Sequence, residues 1–143
     1  MRVGGGPTGV EDPRYVEWLL ALVMWREARG EGLEGMRAVA HVIRNRVFMW
    51  HKGWIEVITA KNQFSSMASK GDGQLVMWPQ DGDQDFEVAK RVARAVLTGL
   101  DQDLTKGAVY YENPQVATSA WFINNVRKRR PKVAEIGRHV FYA

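Results

Sequence analysis

Hydrophobic positions divide the chain into a long helical front and a short β-forming end. From Pro13 to about Ala28, apolar residues (Trp18, Leu19, Leu20, Leu22, Val23, Met24, Trp25) stand on nearly every side of a 3.6-residue spiral. That is the pattern of a central, buried helix. Asp12-Pro13 starts it with a capping carboxylate and a proline at the first helical position. Gly30 and Gly32 stop it. A second helix, from about Leu33 to Phe48, carries Met36, Val39, Ala40, Ile43 and Val47 on one face. Arg37, His41 and Arg44 line another, which places His41, like His51, at the surface or rim. A short helix is predicted over 54–60. A third amphipathic helix is predicted over Asp85 to Thr98, through Phe86, Ala89, Val92, Ala93, Val96 and Leu97, with Gly99 closing it.

Residues 61–84 are polar, glycine-rich and aperiodic, and at that length inside a small domain they predict a functional loop. "AVYYE" (108–112) and "RHVFYA" (138–143) have strand composition and are expected to pair antiparallel. Side chains alternate along a strand, so at most one of Tyr110 and Tyr111 can face a groove. The basic run "VRKRRPKVAE" (126–135) reads as a solvated loop, and residues 1–12 read as a flexible tail. The expected class is α+β, mainly helical: one domain over 13–143 with a small antiparallel β element.

Composition narrows the chemistry. At 143 residues and 45% hydrophobic content the chain makes one core, and no apolar run is long enough to span a bilayer. Without cysteine there is neither disulfide nor thiolate metal site. His41, His51 and His139 lack metal-ligand spacing, so no metal is expected. The start of the chain has no apolar core or cleavage pattern of an export signal. A net charge of +4 favours an anionic partner: a nucleic acid, a membrane surface or a wall polymer. The basic run lacks the aromatic interleaving of a base-stacking platform, so nucleic acid is not the expected partner.

The stretch "WREARGEGLEG" (25–35) carries the candidate chemistry. Glu27 lines up with Leu20, Val23 and Met24 on an apolar stripe and sits at the negative end of the helix dipole. Both effects favour the neutral form, as a general acid requires. Arg26 and Arg29 oppose them if they pair with it. The competing structural reading is an ion pair with Arg29 or Arg37 that tidies a helix end. If the acid cleaves a glycosidic bond, Glu31, Asp72 and Glu112 are the candidates for a second carboxylate, and no spacing selects among them.

Five segments in order resemble the SleB-type cell wall hydrolases: "EARGEGLEGMRAVAHVIRNRV" (27–47), "QFSSM" (63–67) with "DGQL" (72–75), "GAVYYENP" (107–114), "ATSAWF" (117–122) and "IGRHVFY" (136–142). The resemblance implies a lysozyme-like fold and cleavage of the peptidoglycan glycan strand between N-acetylmuramic acid and N-acetylglucosamine. It further implies lytic transglycosylation, with Glu27 protonating the glycosidic oxygen and then taking the proton of the muramyl 6-hydroxyl as a 1,6-anhydro ring closes. No cofactor is implied. By the same carry-over Phe64, Ser65, Ser66, Tyr110, Tyr111 and Asn113 are the candidates to line the groove, with at most one of the two tyrosines facing it and a core or turn role as the alternative for each, while Glu31 positions Glu27 or caps a backbone amide. Trp25-Arg26 departs from the Tyr-Gly type pair usual in the family and puts a cation beside the acid in sequence. The alternatives are a hydrolytic muramidase and a non-catalytic wall-binding module. A small, basic, signal-less domain of this kind suggests a monomeric phage endolysin. It would be made in the host cytoplasm and released onto the wall, with the basic run favouring anionic wall or outer-membrane surfaces.

Overall fold

The computed structural model describes residues 11–60, 63–68 and 72–143. Its centre is helix α1 (Pro13–Ala28), in which Leu20, Leu22, Val23 and Met24 are fully buried. Each such side chain contributes about 1.5–3 kcal/mol by leaving water. Asp12 caps the helix, its carboxylate accepting from the Arg14 amide at 2.9 Å. Glu11 accepts from the Trp54 and Ile55 amides at 3.0 and 2.9 Å, capping the short helix α3 (Trp54–Thr59) from a distance. Glu11 and Asp12, assigned to the tail from sequence, are therefore built into the fold. Residues 1–10 of that tail lie outside the described residues.

Helix α2 (Gly32–Trp50) and, after the short α4 (Ser65–Ala68), helix α5 (Gln84–Leu97) pack on α1. Met36, Val39, Ala40, Ile43 and Val47 bury the expected face of α2, and Phe86, Ala89, Val92, Ala93 and Val96 that of α5. Asp83 joins two helices: it caps α5 through the Phe86 amide at 2.9 Å and accepts from the Trp25 indole at 3.2 Å. Of the segment 61–84, residues 61, 62 and 69–71 lie outside the described residues; 73–76 form a 3-10 turn capped by Asp72.

The polar face of α2 is not a solvated face. His41 is 2% exposed, with Nε2 2.7 Å from Asp101, which also accepts from Arg37 at 3.0 Å. One turn on, Asn45 donates to Asp103 and to the Ala108 carbonyl, both at 2.9 Å. Arg37, His41 and Asn45 recur every fourth residue, so one stripe of α2 grips the 101–108 segment that feeds β1. The rim position expected for His41 is corrected accordingly; His51 is exposed, closing α2 in the left-handed region.

Three antiparallel strands, β1 (Tyr110–Glu112), β2 (Lys132–Ile136) and β3 (His139–Tyr142), lie in the order β1-β3-β2. The expected pairing of β1 with β3 is present, with Tyr110 opposite Tyr142 and Tyr111 opposite Phe141. The basic run is a loop only at its centre, where residues 128–131 form an exposed turn. A helical turn, α6 (Ala120–Phe122), continues as a π-helical turn over Ile123–Arg127, and the end of the run forms β2. As an edge strand with a bulge between Lys132 and Ala134 and charges facing water, β2 lacks the alternation that marks a strand in sequence.

Candidate active site

Glu27 ends α1 and opens into a cleft of about 360 Å³, whose wall includes Arg29, Glu31, Gln74, Asn113, Arg138 and His139. The half-buried carboxyl accepts, on Oε1, a 2.8 Å hydrogen bond from the Tyr111 hydroxyl. Arg29 instead donates to the Trp25 carbonyl and to Gln74, and Arg37 to Asp101. The ion-pair reading of Glu27 therefore loses both its partners. Arg26, though it also lines the cleft, does not pair with Glu27 either: it donates to the carbonyls of Ser66, Leu75 and Met77 at 3.0–3.1 Å. Its guanidinium lies 4.6 Å from the Trp78 ring, and burial lowers its pKa. Adjacent in sequence to the acid, it pins the loop that forms one wall of the cleft.

Tyr111 is held by packing. Its ring touches Phe64, His139 and Phe141 with centroids 6.5, 5.0 and 5.7 Å away. Burial, then the neighbouring Glu27, raises the phenol pKa well above its ordinary value, so Tyr111 remains a donor at neutral pH. Behind β1, Arg46 donates to the Val109 carbonyl at 2.7 Å among the rings of Trp50, Phe64 and Tyr110. Burial pulls its pKa down to about 10, which leaves it charged at neutral pH.

The glycines of the motif serve Glu31. A 3-10 turn over Arg29–Glu31 and Gly32 at φ +75° carry Glu31 off the helix axis. It accepts from the Arg138 amide at 3.0 Å and from the Arg138 guanidinium at 3.0 and 3.1 Å. Hydrogen bonding to Arg138 holds its pKa below the ordinary carboxylate value. Gly35 lies so close that an added Cβ would stand 2.4 Å from that of Glu31. The motif thus ties the end of α1 to the turn before β3.

Of the residues singled out in the sequence, Glu27, Glu31 and Asn113 line this cleft, and Tyr111 reaches it through its hydroxyl. Tyr110 faces the other side of β1, against Trp50, Trp121 and Phe122. Phe64 is 2% exposed and backs Tyr111, and Ser66 is buried, its carbonyl accepting from Arg26. Neither side chain is on the cleft wall. The side chain of Ser65 lies outside the described residues. The sequence reading missed Arg29, Gln74, Arg138 and His139, although all four lie inside its quoted motifs. His139 is buried and its pKa is lowered by desolvation, so a neutral imidazole packs on Tyr111, with Nδ1 4.0 Å from Glu31.

The other candidate carboxylates are occupied. Glu112 faces away from Tyr111 and accepts from Arg127, Thr118 and Tyr142. These bonds, that from Arg127 foremost, lower its pKa. Asp72 caps the 3-10 turn at the Gln74 amide, 2.8 Å away. Among the described residues no cluster of His, Asp and Glu could hold a metal ion.

A mainly helical domain with a small antiparallel sheet, and a glutamate at a helix end opening into a cleft between them, has a lysozyme-like fold. The profile of the cell wall hydrolase family matches residues 30–142, beginning just past Glu27. The chain belongs to that family. It is 38% identical over 125 residues to a spore cortex-lytic enzyme of Halalkalibacterium halodurans, covering 86% of this chain but 33% of that protein. The chain thus spans about a third of that relative's length. Among solved structures, the catalytic domain of the Bacillus cereus SleB protein superposes with a TM-score of 0.70 at 31% identity, covering 98% of this chain and 97% of that one. The catalytic domain of the germination-specific lytic transglycosylase SleB from Bacillus anthracis gives 0.69, also at 31% identity, covering 96% and 99%.

Proposed function

We propose that this domain degrades peptidoglycan by lytic transglycosylation of the bond between N-acetylmuramic acid and N-acetylglucosamine. The observation that carries the reading is the 2.8 Å bond from Tyr111 to Oε1 of Glu27 in a cleft whose other carboxylate, Glu31, is held by Arg138. With Oε1 held by Tyr111, Oε2 is the oxygen left to deliver a proton to the glycosidic oxygen. The C1–O bond breaks and the leaving sugar departs as an alcohol. The muramyl 6-hydroxyl then attacks C1 while Glu27, now ionised, takes its proton, which restores the acid and closes the 1,6-anhydro ring. One acid–base group suffices, whereas a hydrolase of this fold needs a second carboxylate to activate water or attack the sugar. Arg29 and Arg138 on the cleft wall suit the carboxylates of the muramyl peptide.

The test is a mass spectrum of the soluble products after the protein digests purified peptidoglycan. Muropeptides lighter by one water and lacking a reducible end are expected; reducible, full-mass muropeptides would overturn the transglycosylase step. The proposal extends to host lysis from inside the cell, supported by the basic balance of the chain. Lysis of expressing cells is then expected only when their membrane is permeabilised.

A further inference from the structure

A second cavity, of about 580 Å³, lies on the opposite side of β1 and shares no lining residue with the Glu27 cleft. Tyr110, Trp121, Asn125, Arg129, Arg130, Pro131 and Ala143 line it. Its volume is that of a small-ligand site. Trp121 is 57% exposed and leans on Tyr110 at 6.3 Å, so the indole presents free surface held by a ring beneath. Arg130 lies over Tyr110 at 4.9 Å, a contact that orders the guanidinium at the wall of the cavity.

The charges of this region divide into two sets. Arg127 is paired with Glu112, and Lys132 with Glu135. Arg129 and Arg130 have no carboxylate within ion-pair distance among the described residues. Their backbone is nonetheless fixed, both amides donating to the Val126 carbonyl at 3.2 and 2.9 Å. Two unpaired guanidiniums on a rigid turn, beside an exposed indole, match a ring with an apolar face that carries a carboxylate. The π-helical turn that carries Asn125 is a device found frequently at functional sites.

We infer that this cavity is a second glycan site, binding a carboxylate-bearing muramyl peptide of the wall away from the bond being cleaved. The inference rests on the proposed function, since it takes the same polymer as ligand. Its role is retention: the insoluble substrate is held at one face of the sheet while the acid works at the other. A nucleic acid would share the affinity for arginine, but successive bases need successive aromatic faces, and the cavity offers one exposed indole.

The experiment measures co-sedimentation with purified sacculi, using the full chain with Glu27→Gln so that binding is read without digestion. Adding Trp121→Ala, or Arg129→Glu with Arg130→Glu, is expected to weaken retention about tenfold, and a reduced disaccharide-tetrapeptide is expected to compete for the parent. All three positions are exposed, and matching thermal unfolding curves verify folding. Retention unchanged in both variants, or lost for duplex DNA but not for sacculi, would overturn the inference. Digestion of the same sacculi by the unmodified chain separates the two claims: if it releases no muropeptides, the proposed function fails; if it does and the variants still bind, only the second site fails.

Discussion

Tyr111 and Glu27, eighty-four positions apart, meet through a 2.8 Å hydrogen bond from a buried phenol that stays protonated. The bond orients the carboxyl without adding charge to the cleft. Tyr111→Phe keeps the packing against Phe64, His139 and Phe141 and removes only the donor. We expect kcat to fall about tenfold or more, with KM little changed, because proton transfer depends on the angle of the acid. Steady-state release of muropeptides from sacculi checks it, and an equal rise in KM would argue that Tyr111 binds sugar instead.

Glu27→Gln preserves the shape of the cleft and the bond from Tyr111 but has no proton to give. Activity on sacculi should drop by about 10²–10⁴, while binding to them persists. A variant that still lyses would move the acid elsewhere in the cleft.

Gly35 is fixed by contact rather than by backbone angle. Gly35→Ala forces its Cβ against that of Glu31, both on helical or turn backbone with little room to yield. The expected loss is about 1–3 kcal/mol, read by thermal or denaturant unfolding. Activity should fall as well, because Glu31 holds Arg138 on the cleft wall.

The acid limb of stability follows from Glu31 and Glu112, whose pKa values are both held below the ordinary 4.5, chiefly by Arg138 and Arg127. A depressed carboxylate contributes stability above its unfolded value and loses it as the pH falls through the folded one. The midpoint of thermal unfolding should therefore decline below pH 4.5, the unperturbed value. Glu112→Gln should start lower at neutral pH and decline less steeply; an equally steep decline would assign the limb to other groups.

Much of this was legible in sequence where a local rule decides the outcome. Asp12-Pro13 and the all-round apolar run give α1 to the residue, and alternation along "AVYYE" separates Tyr110 from Tyr111. Glu27 stood out because a carboxyl on an apolar stripe is costly unless used. What stayed hidden depends on contacts between distant segments. His41 looks polar on α2 until Asp101 folds onto it, and β2 is an edge strand with charges on its open side. That Tyr111 is the partner of Glu27 follows from how α2 anchors the 101–108 segment, which no spacing near either residue encodes.

Arg26 shows how far sequence adjacency can mislead. Placed beside the acid, it reads as a cation acting on Glu27, yet its three nitrogens reach the carbonyls of Met77, Ser66 and Leu75. A planar guanidinium satisfies these diverging acceptors together, whereas the single ammonium of Arg26→Lys reaches only some of them. The carbonyls left behind cost about 1–3 kcal/mol each where they are buried, so the variant should be measurably less stable. The consequence for the cleft is local. The amides of Leu75 and Met77, which close the 3-10 turn beneath Gln74, should exchange with solvent faster than in the parent. Gln74, the acceptor for Arg29, would lose its fixed place, and KM should rise while the pH dependence of cleavage keeps its shape. An altered pH profile instead would mean that the charge of Arg26 does act on Glu27.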